Sequence, residues 1–177
     1  MNSKTMSSGA AGFMAAALAL AEQALDHGEF PVGCVIADDS RVVARGYRTG
    51  TTDGSGNEID HAEINALRQL CSNCPDIDRA RLTVYATMEP CLMCFAAIML
   101  SGIVKVVYAY EDVMGGGTGC DRSTLPGLYR DAQLTVIPGV LRAESLALFK
   151  RFFAAPQNHY WAGSELCRYT LNQAQLP

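Results

Sequence analysis

A chain of 177 residues is long enough for one domain with a sizeable buried core. With 49% hydrophobic and 18% charged residues it has a globular composition, which excludes a disordered chain. The formal net charge of -4 shows none of the basic excess of a general nucleic-acid binder, and no apolar run approaches membrane-spanning length.

Residues 1–9 read as a polar leader rich in Ser and Gly, and residues 10–177 as a single domain. A helix is expected from about Ala11 to Asp26, with Gly28 as its stop. The run Ala10 to Ala21 after Lys4, with Ala19-Leu20-Ala21, has the outline of a secretion signal. Its apolar part is mostly alanine, however, and Glu22, Gln23 and Asp26 follow without a break, which favours the amphipathic helix. Val32 to Ala37 and Val42 to Tyr47 read as strands joined by the turn Asp38-Asp39-Ser40. A Gly/Thr/Ser/Asp loop, Gly50 to Asn57, precedes a helix from near His61 to about Leu70. Then come a strand (Leu82 to Thr87), a helix (Cys91 to Leu100) and a β-branched strand (Val104 to Tyr110) suited to burial on both faces. Pro90 suits the first helical position. A glycine-rich loop spans Met114 to Gly119. A short strand (Leu134 to Ile137), a helix (Leu141 to Phe153) and a helical segment after about residue 156, Tyr160 to Leu171, complete the chain. The order α-β-β-α-β-α-β-α-β-α predicts an α/β fold, a mixed sheet with helices on both faces.

Seven cysteines are an odd number, so disulfides cannot pair them all. Metal ligation plus buried thiols explains the count and implies a reducing, cytoplasmic compartment. Cys91 and Cys94 are three apart at a helix start, on one face and in the first turn, where the macrodipole favours thiolates. His61 supplies a third ligand at another helix start. Three protein ligands leave the fourth position of a tetrahedral Zn2+ for water, the arrangement of a catalytic site, and bound zinc acidifies that water. Glu63 stands two residues from His61. In a full helix the two side chains would diverge by about 200°. With His61 partly outside the helix both can face the metal, and Glu63 can move protons between water, a ring nitrogen and a leaving amine. A rival reading joins Cys71 and Cys74 to Cys91 and Cys94 as a structural four-cysteine site in a non-catalytic zinc-stabilised binding module, leaving His61 and Glu63 unexplained.

The pattern His61-Ala62-Glu63 with Pro90-Cys91-Leu92-Met93-Cys94 resembles the signature of the cytidine/deoxycytidylate deaminase-like zinc deaminases. Ala17 to Gly33 with Phe30-Pro31-Val32-Gly33, and His61 to Leu67, look like bacterial tRNA adenosine deaminases and their cytosine and guanine deaminase relatives. So do Thr87 to Cys94, Val106-Val107-Tyr108 leading to Asp112, and the Leu148 to Phe153 helix. The resemblance covers about residues 13–155. It implies a three-layer α/β/α sandwich with a mixed five-stranded sheet, usually as a homodimer. It also implies hydrolytic removal of a ring amine from a nucleobase or nucleoside, with ammonia released. The backbone N–H of Ala62 would hold a substrate atom, and Asp112 and the loop after it would shape the pocket.

Two departures bear on substrate. Where the family commonly has an Asn that contacts substrate, this chain has Arg48, read either as a surface charge or as a substrate contact. The tRNA enzymes tend to end in a basic helix, whereas here Arg168 is the one cation after Ala155, among Tyr160, Trp161 and Tyr169. Such an aromatic tail resembles the pocket-closing segment of yeast-type cytosine deaminases, with Trp161 in the lining, and fits a phosphate-rich partner poorly. A small free base or nucleoside is therefore the expected substrate. A tRNA wobble adenosine is the alternative, and no membrane partner is expected. Cys34 and Cys167 read as core, Cys120 as a residue near the pocket or packed, His27 as a helix-end residue, His159 as surface, and Met88, Met93, Met99 and Met114 as core filler. Gly115-Gly116-Gly117 reads as a flexible turn near the site, and Glu89 as a partner of the ligands or a structural hydrogen bonder.

Overall fold

The computed structural model of the chain describes residues 3–52 and 56–174, so residues 53–55 of the expected loop lie outside it. Helix α1 (Ser3–Asp26) leads into β1 (Gly33–Ala37) and β2 (Val42–Tyr47). There follow α2 (Ala62–Asn73), β3 (Thr83–Met88), α3 (Leu92–Leu100) and β4 (Lys105–Tyr110). A short α4 (Gly127–Arg130), β5 (Thr135–Ile137), α5 (Arg142–Ala154) and α6 (Glu165–Asn172) close the chain. One mixed sheet of five strands runs in the order β2-β1-β3-β4-β5. β1 is antiparallel to both β2 and β3, whereas β3, β4 and β5 are parallel. In the turn between β1 and β2, Ser40 N and Arg41 N both donate to Asp38 Oδ1 at 2.8 Å.

Strand alternation divides the interior in two. Cys34, Ile36, Val84 and Val106 turn to the face that packs on Ala66, Leu70 and Ile98 of α2 and α3. Val35, Ala37, Tyr85, Val107 and Ala109 turn to the other face, against Met14 and Ala17 of α1. Helix α5 packs on α1, β3 and β4. Its Phe149, Phe152 and Phe153, together with Tyr160 and Trp161, surround Phe30 at centroid distances of 5.2 to 6.0 Å. That aromatic cluster pins the C-terminal segment to the segment before β1.

Two glycines set how closely helices lie on the sheet. A Cβ on Gly33 would stand 2.1 Å from Ala17 O of α1, and one on Gly46 would stand 2.2 Å from Ala62 O of α2. Side chains there would hold the helices away from β1 and β2.

Element types follow the sequence reading, with differences that have local causes. Helix α1 begins at Ser3 instead of near Ala11, so residues 3–9 of the segment expected as a leader are helical, and residues 1–2 lie outside the described residues. Pro90 is not the first helical residue; Cys91, in extended conformation, is the N-cap and Pro90 precedes it. The expected helix from Tyr160 is a turn up to Gly163, and α6 starts only after Ser164, whose side chain accepts from Cys167 N. Trp161 (φ 52°) and Gly163 (φ 71°) are left-handed, which no helix accommodates. Cys34 and Cys167 are buried, and all seven cysteines are unpaired.

Candidate active site

Two helix starts face each other at one end of the sheet. The N-cap of α2 is His61 (φ -66°, ψ 155°) and that of α3 is Cys91 (φ -65°, ψ 170°), and neither side chain makes a capping hydrogen bond. Ser, Thr, Asp or Asn usually occupies such a position and bonds back to its own helix. Here both side chains point outward instead. His61 Nδ1 lies 3.5 Å from Cys91 Sγ and 3.5 Å from Cys94 Sγ. The ligand atoms of His61, Cys91 and Cys94 all fall within 4.8 Å of one another, the one such cluster among the described residues.

The donor set fits zinc. Zn–S bonds of about 2.3 Å and Zn–N bonds of about 2.05 Å, meeting at the tetrahedral angle, put S and N roughly 3.6 Å apart. The two observed separations of 3.5 Å match. The electrostatics also suit a cation. The Cys91 thiol is lowered to about 4, first by the hydrogen bond from Cys94 and then, against burial, by His61. The Cys94 thiol is pushed up, first by its bond to the Cys91 thiolate and then by burial. Two thiols this close share one charge until a metal ion allows both to ionise.

Glu63 stands outside the ligand cluster and is 3% exposed. Burial raises its pKa, only partly offset by its own backbone N–H and by His61. For His61, burial pulls the pKa down, but the Cys91 hydrogen bond and the Glu63 charge outweigh it and leave it raised. His61 is extended and Glu63 is in the first helical turn, so the divergence expected of a full helix does not arise.

A recess, partly open to solvent, adjoins the cluster. His61, Cys91, Glu63, Ala62, Arg48, Asp112 and Trp161 all line it, so the sequence-predicted residues converge. Cys94 is fully buried behind them. Of the aromatic tail, Tyr160 and Trp161 line the recess, while Tyr169 turns away and donates to Glu111. Cys71 and Cys74 do not join the metal cluster, which removes the four-cysteine reading. Cys120 and His159 do not line the recess.

The glycine loop is a close-packed lid on the start of α3. A Cβ on Gly116 would stand 2.5 Å from Glu89 Oε2, and one on Gly117 would stand 2.6 Å from Leu92 N. None of Gly115, Gly116 and Gly117 has a positive φ, so close approach and not backbone freedom explains them. Glu89 holds the loop: Thr118 N and Oγ1 donate to its Oε1, and Asp112 N donates to its Oε2. Asp112 Oδ1 accepts from Met114 N and Gly115 N; burial nonetheless raises its pKa.

Arg48 is not a surface charge. It is 2% exposed, with Nη2 donating to Asn57 O at 2.7 Å and to Glu58 Oε2 at 2.9 Å. Sequence reasoning missed Phe30, Val32 and Met88 as lining residues and Glu58 as the partner of Arg48. The Phe30-Pro31-Val32 segment carried a signal for the first two, through the resemblance. Glu58 carried none.

Comparison with known proteins agrees with this geometry. Residues 8–110 match the family model of the cytidine and deoxycytidylate deaminase zinc-binding region. The tRNA-specific adenosine deaminase of Bacillus subtilis (strain 168) is 31% identical over 141 residues, covering 80% of this chain and 86% of that protein. A structure from work on A-to-I editing by tRNA:A34 deaminases superposes with a TM-score of 0.66 at 30% identity, covering 77% of this chain and 98% of the other. The guanine deaminase of Bacillus subtilis is 32% identical with a TM-score of 0.50, covering 63% and 66%.

Proposed function

The chain belongs to the cytidine and deoxycytidylate deaminase zinc-binding family, and from that premise we propose that it deaminates a free nucleobase or nucleoside in the recess beside His61, Cys91 and Cys94. The protein is a zinc-dependent hydrolytic deaminase: water replaces a ring amine, a carbonyl remains and ammonia leaves. In this reading His61, Cys91 and Cys94 hold the ion, which when bound supplies Lewis acidity and an activated water. Glu63 takes one proton from the attacking water to the ring nitrogen beside the aminated carbon, and then carries the second, from the hydroxyl now on that carbon, to the departing amine, so that the C–N bond breaks as the carbonyl forms. A carboxylate whose pKa is raised by burial is suited to both halves of that transfer. The Ala62 N–H, among the first-turn donors of α2, which lack an intrahelical acceptor, would hold a ring atom. Asp112 shapes one wall through its bonds to the glycine loop, and Trp161 covers the planar ring.

The observation that carries the reading is the 3.5 Å convergence of His61 Nδ1 on two thiols, with Glu63 buried beside them and outside the cluster. Glu63→Gln protein should retain one zinc and lose about 10²- to 10⁴-fold in ammonia release. Undiminished turnover in that variant would remove Glu63 from the mechanism.

A second reading takes a tRNA wobble adenosine as substrate, and similarity to the tRNA-specific adenosine deaminases favours it. The net charge of -4, the buried Arg48 and the aromatic tail support a small substrate instead. An ammonia-release screen over free bases, nucleosides and a wobble-position stem-loop decides between them; turnover of the stem-loop alone would overturn the small-substrate reading.

We also infer a homodimer. Helix α3 is apolar on every side, yet Leu92 (58%) and Leu100 (55%) are exposed, and Val113 and Met114 add to the exposed apolar surface nearby in the chain. Sedimentation as a monomer at micromolar concentration would exclude it. The unpaired thiols support a cytoplasmic, reducing setting, which cell fractionation checks.

A further inference from the structure

Cys91 is a metal-ligand candidate that its own helix does not hold. It precedes α3 in extended conformation and its side chain makes no capping bond, whereas Cys94 lies within the helix and is fully buried. The glycine loop is laid directly against it. Cys91 and Gly116 form an antiparallel bridge, and Gly117 N donates to Pro90 O at 2.9 Å. A Cβ on Gly117 would stand 2.8 Å from the carbonyl carbon of Cys91.

The loop in turn closes on one carboxylate. Thr118 N and Oγ1 donate to Glu89 Oε1 at 3.2 and 2.5 Å, and Asp112 N donates to Glu89 Oε2 at 3.2 Å. Residues 112 and 118 are the two ends of the loop, so Glu89 ties both ends to the strip of chain that carries Cys91. Between those ends Gly116 N donates to Asp112 O at 3.0 Å, and Asp112 Oδ1 accepts from Met114 N and Gly115 N. The span therefore moves as one unit. The base of the clamp is fixed as well, because Glu89 N donates to Tyr110 O at the end of β4, at 2.7 Å.

We propose that Glu89 is the positioning residue for Cys91, holding that sulfur toward the ion through the loop backbone and not by touching the ion. The proposal rests on the reading of His61, Cys91 and Cys94 as the zinc site, and is independent of which ring is the substrate. Glu89 itself stands outside the ligand cluster. Without its carboxylate, three donors at the two loop ends lose their acceptor together and turn to water. The bridge at Gly116 and the bond to Pro90 then lose their backing, and Cys91 loses the strip that orients it. Cys94 stays in place inside α3. Groups that orient a metal ligand in this way are typically worth about 10- to 100-fold in metal affinity.

The test is the rate at which zinc-loaded protein releases its ion to an excess of a chromogenic chelator, for the parent, Glu89→Ala, Glu89→Gln and Met14→Ala. Glu89→Ala should release zinc about 10- to 100-fold faster. Glu89→Gln keeps an oxygen for Thr118 but turns an amide donor toward Asp112 N, so its rate should fall between the two. It also carries the test if Glu89→Ala does not fold. Met14 is fully buried against α1 on the other face of the sheet, so Met14→Ala lowers Tm without reaching the loop. Its zinc release should change by less than about 3-fold, which separates positioning from general loss of stability. Release from both Glu89 variants at the parent rate, or equally fast release from Met14→Ala, would overturn the proposal while leaving the zinc site standing. A parent protein that takes up no zinc would sink the site reading, and this proposal with it.

Discussion

Gly46→Ala tests whether the close seating of α2 on β2 is what places the metal ligand and Glu63. Gly46 pairs with Cys34 in the sheet and its φ is not left-handed, so alanine is compatible with the backbone. The obstacle is space. The added Cβ would stand 2.2 Å from Ala62 O and 2.5 Å from Ala66 N, both backbone atoms of α2 that no rotamer change can move. Restoring van der Waals contact requires the start of α2 to retreat by about 1 Å. Overpacking of this kind costs about 1–3 kcal/mol, which lowers Tm by about 2–12 °C in a chain of this size. The functional loss should be larger than the stability loss. His61, Ala62 and Glu63 ride on that helix start, and a misplacement of about 1 Å costs on the order of 100-fold in rate. The assay is zinc content, thermal unfolding and kcat/KM with whichever ring the screen identifies. Gly12→Ala is the control: a Cβ there meets nothing within 4 Å, and replacing glycine inside α1 should raise Tm slightly. A Gly46→Ala protein with one zinc, unchanged Tm and undiminished kcat/KM would refute the reasoning.

Two further predictions concern the surroundings. Glu29 accepts from Thr51 N at 2.7 Å, from Thr51 Oγ1, and from Thr52 Oγ1 at 2.9 Å, latching the chain after β2 to the end of α1. Burial alone would raise its pKa, but these hydrogen bonds hold it below the ordinary 4.5. A depressed carboxyl stabilises the fold above its unfolded pKa, and that stability is lost as pH falls through the folded value. Glu29→Gln should therefore lower the urea midpoint at pH 6, with the gap to the parent protein closing as pH falls through the folded value below 4.5; a gap independent of pH would contradict this. The paired variant Cys71→Ser/Cys74→Ser should keep one zinc per chain with activity and Tm within error of the parent, and loss of zinc would revive the four-cysteine site.

Much of the fold and the metal centre was legible in the sequence because it rests on short-range geometry. A Cys-x-x-Cys spacing at a helix start puts two sulfurs on one face whatever surrounds them, and two-residue alternation sorts each strand's side chains between the faces of the sheet. His61 and Glu63 were legible for the same reason, once a helix start separated them. The turn at Tyr160 to Gly163 was not, since the left-handed Trp161 is held by contacts with Phe30 and Tyr160 and not by local propensity. Nor were the glycines at 115–117, whose reason is the approach of Glu89, Asp112 and Leu92. Arg48 shows the division best. A lone arginine after a strand reads equally well as solvated or as buried. What buries it is a carboxylate ten positions on and a tyrosine that meets that carboxylate from 102 positions away. Sequence by itself determined which helix starts carry the candidate ligands, because neighbours along the chain set the orientation of each; only the tertiary structure decided that His61 meets Cys91 and Cys94 and which residues line the recess, because those partners meet through folding alone.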